Sequence, residues 1–134
     1  MASPVVHEKL ESLRRCLERI RERRPDSVQA LKEDADIQDI LSVNLTRAVQ
    51  LCVDIATHTL VTTDQPPPET MGQSFDRLAS AGVISKSVAE RMKAAVGFRN
   101  IAIHSYREID WEIVFAIVTE HLSDFEDFAR AVVE

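Results

Sequence analysis

The chain has 134 residues, only three Gly and a net charge of −6, with Ala, Leu, Glu and Arg abundant. That length buries one core but not two, and the composition favours helix over sheet, so a single all-α domain spanning 1–134 is expected. The acidic balance excludes broad electrostatic capture of nucleic acid, and two cysteines without ligand-spaced company exclude a disulfide framework and a zinc site.

A first helix is predicted from Ser3-Pro4, where Ser is a good cap and Pro is welcome in the first turn. Val6, Leu10, Leu13, Leu17 and Ile20 give it one apolar stripe, and Arg24-Pro25-Asp26-Ser27 ends it. Through Arg24 the chain has seven Lys/Arg against four Glu, a balance of +3, and the remainder carries nine against eighteen, or −9. Such a basic helix on an acidic body is either a solvated face or a surface for phosphates or an acidic partner.

After a transitional segment with room for one helical turn, Asp34 or Asp36 caps a long second helix. Its stripe is Ile37, Leu41, Asn44, Ala48, Leu51 and Ile55, running close to Leu60. Residues 62–68, with three consecutive prolines, form an extended connection. A short helix follows over roughly Thr70 to Ser80, with Phe75 and Leu78 inward and Gly82 as a left-handed cap. The next helix starts around Ser85 to Ser87, where Ser87 and Glu90 fit a capping box. Val88, Met92, Ala95, Val96 and Ala102 face inward. A break over Ser105 to Ile109 precedes a last helix capped by Asp110, with a seam of Trp111, Val114, Val118, His121, Phe125, Phe128 and Val132. Short connections between amphipathic helices predict an antiparallel four-helix bundle with one additional short helix. No apolar run approaches the ~20 residues of a membrane span, and the N-terminus does not read as a signal peptide, so a cytoplasmic location is expected.

The stretch richest in chemistry is Arg99-Asn100-Ile101-Ala102-Ile103-His104-Ser105-Tyr106. A guanidinium offers a fixed fork of donors to phosphate oxygens, and imidazole is the side chain whose ordinary titration lies nearest neutrality. Asn100 and His104 are four apart, the spacing that lets an amide hold one ring nitrogen on a helix. Arg99 and His104 are five apart, which on an ideal helix places them roughly 140° from one another, too far to grip one small group. Either the helix loosens at its end or a second copy of the chain completes the site. Arg99 and Tyr106, seven apart, share a face if the helix continues. Asp54 and His58 form an i,i+4 pair, read as a local ion pair before a second catalytic dyad, and His7 and His121 are read as satisfied side chains.

This run resembles the Arg-x4-6-His motif of the HEPN superfamily. In its fuller form, Arg-Asn-x-x-x-His-x-Tyr, it is similar to the HepT toxins of MntA/HepT toxin-antitoxin pairs; the approach Val96-Gly97-Phe98, the following Asp110 and the chain length are HepT-like too. The resemblance implies a HEPN-type bundle acting as a homodimer and a metal-independent, cofactor-free ribonuclease. Arg99 and His104 are then catalytic, Asn100 supports them, and tRNA or mRNA rather than DNA is the substrate. It also implies a nucleotidyltransferase antitoxin of MntA type that transfers AMP to Tyr106. The rival readings are a non-catalytic HEPN scaffold presented to that nucleotidyltransferase, and a nucleotide-binding or substrate-recruiting helical module.

Overall fold

The computed structural model describes residues 2–134, and among these every regular element is helical. The helices are α1 (Pro4–Arg23), α2 (Val28–Glu33), α3 (Ala35–Leu60), α4 (Met71–Ser80), α5 (Lys86–His104), α6 (Trp111–Glu120) and α7 (Leu122–Val133), with a 3-10 turn over Tyr106–Glu108 between α5 and α6. The antiparallel bundle with an additional short helix is therefore observed. Helix α4 is that short helix, and the turn allowed between the first two long helices is α2.

Most boundaries follow from side chains satisfying orphan amides. Ser3, Ser27, Asp34, Thr70 and Asp110 each accept a hydrogen bond from a backbone N–H of the turn they open. At the end of α4, Gly82 has φ +78°, the Gly82 N–H donates to Ala79 O at 3.0 Å and the Val83 N–H to Leu78 O at 2.9 Å. That is a Schellman close, and it requires the left-handed backbone only glycine adopts freely. One cap differs from expectation. Ser85 rather than Ser87 opens α5, its hydroxyl accepting from Val88 N–H at 3.1 Å. Ser87 lies one residue inside the helix, so no capping box forms with Glu90.

The last predicted helix is two helices. At His121 the backbone leaves helical geometry (φ −121°, ψ 10°), and Arg24 supplies a reason. Its Nη1 donates to Val118 O at 2.8 Å, taking up the carbonyl that a continuous helix would offer to the Leu122 N–H. His121 consequently turns outward, its ring 3.5 Å from Asp124, instead of joining the seam.

Helix α3 is the spine, packed against α1, α4, α5 and α7. By length and composition it could cross a membrane, contrary to the reading that no such run exists. Here its apolar positions, among them Leu41, Leu45, Ala48, Cys52 and Ile55, are buried against neighbouring helices. Asn44, the polar interruption in its stripe, is satisfied by donating to Ile40 O at 2.9 Å. Phe75 of α4 and Phe128 of α7 close the core edge to face, ring centroids 5.4 Å apart.

Candidate active site

Opposite its buried stripe α3 carries Asp39, Val43, Arg47, Gln50 and Asp54, at steps of four, four, three and four that line them along one face. Helix α5 runs antiparallel on one side of this face and α1 on the other. Arg99 of α5 donates from Nη2 to Gln50 Oε1 at 3.3 Å, Gln50 Nε2 donates to Asp54 Oδ1 at 3.0 Å, and Lys9 of α1 lies 3.6 Å from Asp54. A relay from α1 through α3 thus holds the guanidinium in place. Its Nη1 donates to Asn100 Oδ1 at 3.1 Å, and its Nε–H is buried with no acceptor among the described residues.

His104 is the last residue of α5, and its ring is exposed. The helix does not loosen before it, so Arg99 and His104 of one chain remain on different sides of α5. Asn100 does not orient His104 as its spacing suggested; its side-chain oxygen is engaged by Arg99.

Tyr106 lies in the break expected over Ser105 to Ile109. The helix stops at His104, Ser105 departs with φ −146° and ψ 51°, and Tyr106 opens the 3-10 turn, so it does not share a helical face with Arg99. Its hydroxyl donates to Asp39 Oδ1 at 2.8 Å, and its ring meets Trp111 edge on, centroids 6.0 Å apart. Asp39 and Gln50, the respective α3 contacts of Tyr106 and Arg99, are eleven residues apart, or about 16 Å along the axis. Partial burial, then the hydrogen bond to Asp39, push the Tyr106 phenol above its ordinary value; Ser42 pulls weakly the other way but makes no full hydrogen bond. A neutral phenol is favoured.

Asp39 and Gln50 had no signal in the primary motif, because their relevance comes from α5 lying along α3. The polar stripe of α3 was the available clue. Asp54 and His58 do not pair: Asp54 is taken by Lys9 and Gln50, and His58 is exposed. Cys16 and Cys52 are buried free thiols, both pushed up by desolvation. Among the described residues no three His, Cys, Asp or Glu side chains converge as a metal site would require.

An antiparallel helical bundle whose α5 ends in Arg-Asn-x-x-x-His, with a tyrosine just beyond, defines a protein of the HEPN class. The model of the HepT-like ribonuclease family matches residues 13–132. The chain is 36% identical over 128 residues to the mRNA nuclease HepT of Shewanella oneidensis, covering 96% of each protein. It superposes with a TM-score of 0.92 on a toxin-antitoxin crystal structure with AMP-PNP, at 33% identity and 98% coverage of both chains. The tri-AMPylated Shewanella oneidensis HEPN toxin in complex with its MNT antitoxin gives the same TM-score and coverage at 34% identity. This chain belongs to the HepT-like ribonuclease family.

Proposed function

We propose that the protein is the toxin of a toxin-antitoxin pair, a homodimeric, metal-independent endoribonuclease that cuts tRNA or mRNA in the cytoplasm. The supporting observation is the Arg99 guanidinium anchored on Gln50, on a helix whose final residue is an exposed imidazole. Because α5 stays helical through His104, the guanidinium and imidazole of a single chain do not converge, and a second copy supplies the missing half. All 134 residues act as one domain in this account.

The chemistry follows from the groups. His104 takes the proton of a ribose 2′-hydroxyl, the 2′-oxygen attacks the adjacent phosphorus, and the partner's His104 protonates the leaving 5′-oxygen. Arg99 stabilises the charge that accumulates on the phosphoryl oxygens, with Asn100 holding one edge of its guanidinium. The products are a 2′,3′-cyclic phosphate and a 5′-hydroxyl, and DNA, lacking the nucleophile, is not cut.

Tyr106 is the acceptor for AMP from a nucleotidyltransferase antitoxin of MntA type. The relatives solved with an MNT antitoxin and in tri-AMPylated form support that partner. A nucleotide on the phenol displaces the hydrogen bond to Asp39 and adds bulk and negative charge at one end of the α3 face, closing the approach to it.

Incubation of purified chain with tRNA or mRNA in EDTA tests the reading, with cleavage expected from the wild type and lost in both Arg99→Ala and His104→Ala. Intact RNA, with tight binding to the nucleotidyltransferase, would favour the scaffold instead.

A further inference from the structure

A groove of about 810 Å³ runs between α1 and α3 on the face just described. Its two carboxylates are the residues that touch the motif's partners: Asp39 holds Tyr106, and Asp54 holds Gln50 and thereby Arg99. The groove is therefore continuous with both ends of the candidate active site. Its floor is apolar, with Ile40, Val43 and Leu51, and its cations are Arg15, Arg19 and Arg47.

Arg19 and Arg47 differ from several other arginines of the chain. Arg14, Arg21, Arg91 and Arg130 each sit on a carboxylate at 3.4 Å or less. Arg15 reaches Glu11 only at 3.6 Å, and Arg19 and Arg47 form no ion pair among the described residues. Asp54 is paired with Lys9 at 3.6 Å and Asp39 keeps its charge beneath the neutral Tyr106 phenol, so Arg15, Arg19 and Arg47 against these two carboxylates leave the lining a small excess of positive charge on a protein whose net charge is −6. An apolar floor between cationic rims suits a nucleotide strand, with bases on the floor and phosphates at the arginines.

We infer that this groove carries the single-stranded RNA adjoining the bond to be cut, with Arg19 and Arg47 each neutralising one phosphate. The inference rests on the nuclease reading and adds to it a binding track beyond the Arg-x4-His motif. Arg47 is three residues from Gln50, less than one turn of α3 from the side chain that holds Arg99, so a phosphate at Arg47 is a neighbour of the one at Arg99. The first helix's basic character thereby acquires a local purpose: Arg15 and Arg19 face the groove, whereas Arg14 belongs to a surface ion-pair cluster with Glu11 and Glu18.

The test measures binding of a fluorescent single-stranded RNA of mixed sequence to the full chain across a salt series, in a His104→Ala background that prevents cutting. Arg19→Gln and Arg47→Gln are each expected to weaken binding by roughly 3- to 10-fold and to reduce the slope of log K against log salt by about 0.7, the signature of one lost single-strand phosphate contact. Arg23→Gln, on α1 but outside the groove, is expected to change neither. Unaltered affinity and slope in both groove variants would overturn the track while leaving the nuclease reading intact, provided the native protein still cuts RNA. Loss of binding together with dissociation to a smaller species in sedimentation would overturn it as well, identifying the groove as an interface between copies. A His104→Ala chain that binds no RNA, beside a native chain that cuts none, would remove both claims.

Discussion

Gln50→Ala isolates the contact that fixes the Arg99 guanidinium. A hydrogen bond to a charged group contributes about 1.5–3 kcal/mol when well made. At 3.3 Å this one is longer than the common ~2.9 Å separation, and both side chains are only half-buried, so about 1 kcal/mol is the better figure. If that energy is expressed where phosphoryl charge develops, the rate falls about 5-fold. The loss should appear in kcat with little change in KM, because Arg99 acts on charge that builds up in the transition state. Asp54 keeps its contact with Lys9, so the unfolding free energy should move by no more than about 0.5 kcal/mol. Steady-state cleavage of a defined RNA, with denaturant unfolding of the same preparation, decides the matter. Unchanged kcat at unchanged stability would refute the idea that α3 positions the guanidinium.

Other expectations follow from the same contacts. Tyr106 is the only tyrosine, so tyrosinate absorbance reports it alone: its midpoint should lie above the ordinary phenol value of 10.0 and fall in Asp39→Asn. Because its folded value is raised, the stability it contributes is present below the unfolded phenol value and is lost as pH rises through the folded one. Tyr106→Phe should abolish mass gain in AMP steps on incubation with ATP, magnesium and the nucleotidyltransferase, and modification continuing at that residue would remove the acceptor assignment. Cleavage should pass through a maximum with pH, since one imidazole must be neutral and the other protonated; a monotonic profile would contradict the paired-histidine scheme. Phe128→Ala should cost about 3–5 kcal/mol, a melting shift of roughly 10–20 °C by calorimetry, because its ring is fully buried against Phe75.

Where a boundary depended on local chemistry, the sequence was a good guide. Ser3, Asp34, Asp110 and Gly82 act as their residue types suggested, and the apolar stripes predicted which faces meet. The failures are tertiary. The interruption at His121 arises with Arg24, a residue 94 positions from the carbonyl it engages, and no periodicity count reveals it. The motif was likewise legible as a set of chemical groups but not as an arrangement. That Asn100 would serve Arg99, and that Asp39 and Gln50 would receive the phenol and guanidinium, depend on how α5 lies along α3, whereas the break that takes Tyr106 off the helix was legible. Long polar side chains on a helix surface reach partners that sequence spacing alone does not rank.

The most direct test is end-group analysis of RNA cut by the purified protein in the presence of EDTA. The account predicts 2′,3′-cyclic phosphate and 5′-hydroxyl ends, with removal of either Arg99 or His104 lowering kcat/KM by at least about 100-fold. Ends bearing a 3′-hydroxyl and a 5′-phosphate, or equal cleavage by both variants, would contradict it.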